Sequence, residues 1–178
     1  MIGLSEIKDA SQIVASLGAT IGGLVAAFKA IHEIRENRRW KMAEAAKNLV
    51  DELFSDDLAY NAAIMVDYDG RKFKIGDKTR AIDKKFVIES LRTDRDSFSE
   101  DEKYVRDCFD HLFYFIRRIA QAEASGLIKA ADVRESLKYP VGKLLEHGPN
   151  VQTYMTTYGF DLAAQFIRAN FKAESDRP

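Results

Sequence analysis

A long stretch without charge near the start of the chain limits what this protein can fold into. No ionisable residue lies between Asp9 and Lys29, and residues 13–28 read IVASLGATIGGLVAAF. This run is slightly shorter than the roughly 17 to 25 apolar residues of a membrane-spanning helix, but Ala30 and Ile31 extend it if Lys29 reaches back to the interface. The sequence therefore predicts an N-terminal apolar helix over residues 1–34, which is either a membrane anchor or an oligomerisation helix.

The charges on either side of this segment are unequal. Lys8 is the single base before it, and five bases follow closely: Lys29, Arg35, Arg38, Arg39 and Lys41. Because basic residues stay on the cytoplasmic side, an anchored chain is predicted to cross the inner membrane once with its C-terminal domain in the cytoplasm. The sequence lacks the basic start of a cleaved signal peptide. We expect contact with anionic lipid or with a partner at Arg35, Arg38, Arg39 and Lys41.

Two patterns in the apolar segment predict that helices associate there. One is a heptad-like seam, in which apolar residues are spaced alternately three and four apart: Val14, Leu17, Ile21, Leu24, Phe28 and Ile31. The other is the Gly-x-x-x-Gly spacing of Gly18 and Gly22, which lets two helices approach closely. The candidate self-association residues are therefore Gly18, Gly22, Leu17, Ile21 and Leu24.

The same segment has a second interpretation that needs no membrane. Residues 10–34 could form the shared, buried core of a cytoplasmic helical oligomer, since a buried helix is also apolar all round. In that case the protein would be a scaffold or the subunit of a complex. The sequence leaves both interpretations open.

The remainder of the chain, residues 35–173, is predicted to be a compact helical domain, followed by a frayed tail over residues 174–178. Ser55 is placed to begin a second helix, and residues 67–78 form a turn-rich loop with a possible short strand near Phe73. Ser99 and Glu102 form a capping box that opens a long helix ending near Gly126. The predicted core stripe of this helix is Val105, Phe109, Leu112, Phe113, Ile116 and Ile119. Shorter helices are predicted over residues 83–92, 129–138, 141–147 and 160–173, with Pro140 separating two of them. The fold class is therefore all-α.

No residue pattern in the chain carries a catalytic, metal-binding or cofactor-binding signature. Asp107, Cys108 and His111 can be grouped on one helix, but residues on successive turns of a core helix usually pack and do not react. His147 ends a predicted helix, where a cationic imidazole would complement the helix dipole. The chain has 27 basic and 28 acidic residues, so a nucleic-acid partner is not expected. We predict no catalytic residue, no cofactor and no metal.

The layout resembles a broad group of small bacterial all-helical proteins of unknown function, many with an N-terminal membrane anchor. The resemblance lies in RENRRWKMAEAAKNLVDELFSDD, FDHLFYFIRRIAQAEASGLI and NVQTYMTTYGFDLAAQFIRANF, and covers roughly residues 12 to 172. It implies an all-helical fold and no particular activity or site residue. Proteins of this layout are also similar to small effectors of bacterial defence systems. The prediction is a non-enzymatic, self-associating sensor, effector or partner-binding module.

Overall fold

The computed structural model describes the backbone of residues 4–171 and the side chains of residues 26–171. Seven helices dominate these residues: α1 Leu4–Ser55, α2 Asp57–Asp67, α3 Lys84–Ser90, α4 Glu100–Ala124, α5 Ala130–Glu146, α6 Pro149–Thr157 and α7 Asp161–Asn170. A hairpin of two antiparallel strands, β1 Arg71–Ile75 and β2 Lys78–Ile82, follows α2. The prediction of a mainly helical fold is confirmed, and the strand predicted near Phe73 is present with a partner that the sequence analysis missed.

The chain divides into two compact units, Met1–Lys41 and Met42–Pro178. The backbone of α1 is helical from Leu4 onward, but most of the predicted apolar segment, residues 13–25, lies outside the described side chains. Within the part that the structure describes, no helix is long and apolar enough to cross a membrane.

Helix α4 is the centre of the second unit and packs against α2, α3 and α7. The predicted capping box is confirmed: Ser99 Oγ accepts from the Glu102 N–H at 3.3 Å, and Glu102 Oε2 accepts from the Ser99 N–H at 2.8 Å. The apolar residues predicted for its core stripe are all buried: Val105, Phe109, Leu112, Phe113, Ile116 and Ile119. Gly126, with a φ of 72°, ends the helix in the left-handed conformation expected of it.

Three local predictions were wrong. Helix α5 continues through Pro140. A proline there removes one backbone hydrogen bond, but the carbonyl left without a donor belongs to Ser136, which is exposed to solvent. Helix α6 was not predicted, although Pro149 at its first turn is a favourable start. The cap of α2 is Asp56 and not Ser55, because Asp56 Oδ1 accepts from the Ala59 N–H at 2.8 Å.

The segment between α3 and α4 is held by Arg106 of α4. The Arg106 guanidinium donates to the carbonyl oxygens of Ser90 and Arg92 at 3.0 and 3.1 Å. The same group lies over three aromatic rings, 4.0 Å from the centroid of Phe98 and 4.8 Å from those of Tyr154 and Tyr158. This one side chain therefore joins the α3–α4 connection to α4 and α6.

Candidate functional site

The described part of the first unit is a helical surface that is open to solvent. Every residue from 26 to 40 is exposed, including the large apolar side chains of Phe28, Ile31, Ile34 and Trp40. Phe28 and Trp40 keep 80% and 78% of their surface accessible. Most of the stability of a helix in a folded protein comes from packing of its apolar face. A run of this length with no packed face therefore marks α1 as a surface that can bind a partner.

The basic residues predicted to contact lipid or a partner lie on this surface. Two nearby acids lie beside other side chains, since Glu33 is 3.9 Å from Lys29 and Glu36 is 3.6 Å from His32. A third, Glu44, forms no ion pair with a described residue. None of the four predicted contact residues forms an ion pair with a residue that the structure describes: Arg35, Arg38, Arg39 and Lys41. Their charge is therefore available to an anionic partner. The predicted self-association residues, Gly18, Gly22, Leu17, Ile21 and Leu24, lie outside the described side chains.

The second unit contains an open pocket of about 560 Å³ that the sequence analysis missed. It is formed by α4, by the cap of α2 and by the turn between α6 and α7, and is lined by Asp56, Asp110, His111, Tyr114, Phe115, Arg117, Tyr158 and Phe160. Five of these residues come from α4, at positions three or four apart, and the others are distant in sequence. Spacing along α4 was the one available signal, and it does not distinguish a pocket wall from a solvated helix face.

Asp110 and Arg117 are, with Asp56, the half-buried charged groups of this pocket. Burial raises the pKa of Asp110, although Tyr154 donates its hydroxyl hydrogen to Asp110 Oδ1 at 2.8 Å. The Arg117 guanidinium lies 5.6 Å from the ring centroid of Tyr114 and 5.8 Å from that of Phe160. Its Nε is buried and has no hydrogen-bond partner among the described residues. The pocket thus combines a carboxyl group, a guanidinium and aromatic walls.

His111, on the wall of the same pocket, contacts the carboxylate of Asp56. Its Nδ1 lies 3.1 and 3.2 Å from the two carboxylate oxygens of Asp56, the residue that caps α2. Burial alone would raise the pKa of Asp56, but hydrogen bonds from the Ala59 N–H and from His111 lower it overall. The pair therefore links the start of α2 to α4.

The grouping of Asp107, Cys108 and His111 is not assembled as a reactive set. Cys108 is fully buried, and burial raises the pKa of its thiol to about 12. The thiol therefore stays protonated near neutral pH, whereas a reactive cysteine needs the thiolate. The ring of His111 contacts Asp56 instead.

His147 also differs from the sequence prediction. It is buried, its Nε2 lies 3.3 Å from the carbonyl oxygen of Val66, and burial lowers its pKa. The desolvation of the ring favours a neutral imidazole that donates to this carbonyl and disfavours the cationic interaction with the helix dipole that was predicted.

Searches for metal sites and for related proteins gave no assignment. Among the described residues, no group of three or more His, Cys, Asp or Glu side chains is placed to hold a metal ion. Comparison with known protein families, with curated proteins and with solved structures found no match to the chain.

Proposed function

We propose that this protein is a non-enzymatic association module in which the N-terminal part of α1 joins two copies of the chain. The helical domain that follows then acts as a scaffold or binds a partner. The observation that carries this proposal is the exposed surface of residues 26–40, on which Phe28 and Ile31 keep 80% and 50% of their surface accessible among the residues that the structure describes. These two residues are the last members of the heptad-like seam, so a second copy can cover them with the same seam.

The seam fits an antiparallel pair of helices. In such a pair Val14 of one copy lies opposite Ile31 of the other, and Leu17 lies opposite Phe28. Every member of the seam then meets an apolar residue, and the relationship is the same for both copies, as a two-fold interface requires. The apolar seam is therefore complementary to itself.

The charges at the two ends of the segment favour this antiparallel direction. Glu6 and Asp9 lie near the start of α1, and the basic group from Arg35 to Lys41 lies at the other end. In the antiparallel register Glu6 flanks the seam opposite Lys41 of the second copy. A parallel pair would place the basic ends side by side, and charges that flank a seam set the orientation of its helices.

Sedimentation analysis of the full chain without detergent tests this proposal. We expect a dimer, and we expect Phe28→Glu with Ile31→Glu to give a monomer because two charges would enter the seam. The matched control is Tyr60→Glu with Leu127→Glu, which places the same charges at exposed apolar residues outside α1. A monomeric wild type, or equal loss of the dimer in the control, would refute the proposal.

A lipid bilayer is the competing occupant of the apolar segment. The absence of charge between Asp9 and Lys29 and the bases that follow support an anchor in the inner membrane, with the domain in the cytoplasm. A role as an effector in bacterial defence would be compatible with either occupant. Fractionation of cells that express the full chain, followed by an alkaline wash, separates the two. Retention in washed membranes supports the anchor, and release supports association between copies.

Substitution of Gly18 and Gly22 distinguishes pairing through the apolar seam from pairing through the small-residue face. Replacing both with Leu fills the small-residue face but leaves the seam unchanged. Pairing through the seam predicts that the dimer persists, whereas close approach through the glycine face predicts that it is lost.

A further inference from the structure

The hairpin of β1 and β2 is strongly basic, although the chain as a whole is nearly neutral. Residues 71–85 contain seven bases and two acids, which leaves 20 bases and 26 acids from the chain's 27 and 28 for all other positions. The seven bases are Arg71, Lys72, Lys74, Lys78, Arg80, Lys84 and Lys85. The balance of the whole chain therefore hides a local concentration of positive charge.

Six of these seven bases have no acidic partner in the part of the chain that the structure describes. The exception is Arg80, whose Nε lies 2.8 Å from the Asp101 carboxylate. Of the two acids, Asp83 caps α3 by accepting from the Phe86 N–H at 2.7 Å, and Asp77 lies in the turn between the strands. All seven bases are exposed. The segment therefore presents uncompensated charge to solvent.

The hairpin is fixed to the bundle by one face. Phe73 and Ile82 are buried, and the register places Phe73 opposite Arg80 on that same face. The base of the hairpin is closed where the Lys84 N–H donates to Asp69 Oδ1 at 2.9 Å. The charged side chains are therefore carried by a ribbon whose inner face is anchored.

The opposite face of the two-stranded hairpin is exposed to solvent and carries four side chains. Strand alternation and the register place Lys72 with Ala81 and Lys74 with Thr79 on this outer face. The two lysines project from one strand, and the small Ala81 and Thr79 occupy the other. Arg71 and Lys78 alternate to the same side of the strands as Phe73 and Arg80, but both are exposed at the two ends of the ribbon.

We propose that this hairpin binds duplex DNA by placing its outer face in the major groove. The groove is about 12 Å wide and admits a two-stranded ribbon, and the lysines of β1 can then reach the phosphates on one side of the groove. Lys72 and Lys74 contact the backbone, and the small side chains of Thr79 and Ala81 let the ribbon enter. The contacts are to phosphates, so binding depends little on base sequence.

The shape of the hairpin favours a groove over a flat membrane. Its outer face has no large apolar or aromatic side chain that could enter a bilayer, since it consists of Lys72, Lys74, Thr79 and Ala81. Bases that project from the outer face and from both ends meet phosphates better when the phosphates surround the ribbon. Outside the hairpin, the second unit has 14 bases and 22 acids, so within this unit a polyanion is expected to approach through the hairpin. This inference is independent of the pairing through α1.

Fluorescence anisotropy of the full chain with a short labelled DNA duplex tests this inference. Four phosphate contacts predict a loss of affinity on the order of 100-fold between about 50 and 200 mM salt. We expect Lys72→Glu with Lys74→Glu to weaken binding by at least about tenfold, because two contacts become repulsive. The matched control, Lys47→Glu with Lys138→Glu, changes the net charge equally at exposed helical lysines and should keep binding within about threefold of wild type.

Three results would overturn the inference. The wild type fails to bind duplex DNA at low salt, or the control weakens binding as much as the hairpin variant does. In the third, vesicles of phosphatidylserine bind through Lys72 and Lys74 and the duplex does not. The substituted lysines are all exposed, so each variant is expected to fold. An unchanged circular dichroism spectrum checks this.

Discussion

The protonation of one buried histidine couples the stability of the bundle to pH. The His147 ring is desolvated and contacts the Val66 carbonyl oxygen, and burial lowers its pKa below the ordinary value of 6.5. A lowered pKa means that the unfolded chain binds the proton more tightly than the folded chain does. The contribution of the neutral ring to stability is therefore present above pH 6.5 and is lost as the pH falls toward the folded value.

We predict from this that the free energy of unfolding declines between about pH 7 and pH 5. His147→Gln should remove most of this dependence, because an amide can donate to the same carbonyl without titrating. His32→Gln is the control, since His32 is exposed on α1. Urea unfolding at a series of pH values measures the effect, and a slope that persists in His147→Gln would contradict the prediction.

Arg106 is the second residue on which the bundle depends. Its planar guanidinium donates to two carbonyl oxygens and lies over three rings, and a lysine ammonium cannot reproduce this geometry. We predict that Arg106→Lys lowers the free energy of unfolding by about 2 kcal/mol, the scale of hydrogen bonds to a charged group. Arg134→Lys, at an exposed residue, should change it by less than about 0.5 kcal/mol. Urea unfolding measures both variants. If Arg106→Lys and Arg134→Lys change the free energy of unfolding equally, the planar geometry of the Arg106 guanidinium adds nothing beyond its charge, and the prediction is contradicted.

At the scale of elements, the capping box fixes where the central helix begins. Ser99 and Glu102 satisfy each other's backbone N–H groups at the start of α4. We predict that Ser99→Ala lowers the free energy of unfolding by about 1 kcal/mol. Ser125→Ala, at the other end of α4, is the control, because the Ser125 hydroxyl donates to the Ala122 carbonyl and caps no free N–H. Thermal unfolding that is unchanged in Ser99→Ala would contradict this assignment.

The elements also show which sequence signals are sufficient. The capping box and the apolar stripe of α4 are local and redundant, and both were predicted correctly. Pro140 did not break α5, because Ser136, whose carbonyl loses its donor, is exposed to solvent. Buried residues on both sides of the proline, Leu137 and Val141, also hold the helix in the core. Helix α6 has weak signals of its own, and the packing of Val151, Tyr154 and Met155 in the core supports it. Such tertiary stabilisation is not visible in a single sequence.

At the scale of the whole molecule, the distribution of charge separates two surfaces. The basic end of the described part of α1 and the basic hairpin are both exposed, but they differ in what accompanies the charge. Phe28 and Ile31 accompany it on α1, whereas Ala81 and Thr79 accompany it on the hairpin. The first combination favours a partner with an apolar face, and the second favours a polyanion.

The sequence predicted the first surface and missed the second. The uncharged segment and its seam are continuous in the chain, so they could be recognised by spacing. The hairpin charges were averaged into a chain that has nearly equal numbers of bases and acids. The pocket at Asp110 and Arg117 was missed because Asp56, Tyr158 and Phe160 reach α4 only after folding.

Cross-linking between two variants, each with one added cysteine, tests antiparallel pairing through α1 most directly. One variant carries Glu6→Cys and the other Lys41→Cys, and the native Cys108 is buried and does not compete. Residues that flank an antiparallel seam opposite each other lie beyond the roughly 7 Å between Cα atoms that a disulfide tolerates, but within reach of a short bismaleimide linker. We predict that such a linker joins a mixture of the two variants into a covalent dimer and that it joins neither variant to itself. Cross-linking of either variant with itself, or none in the mixture, would contradict the proposed pairing.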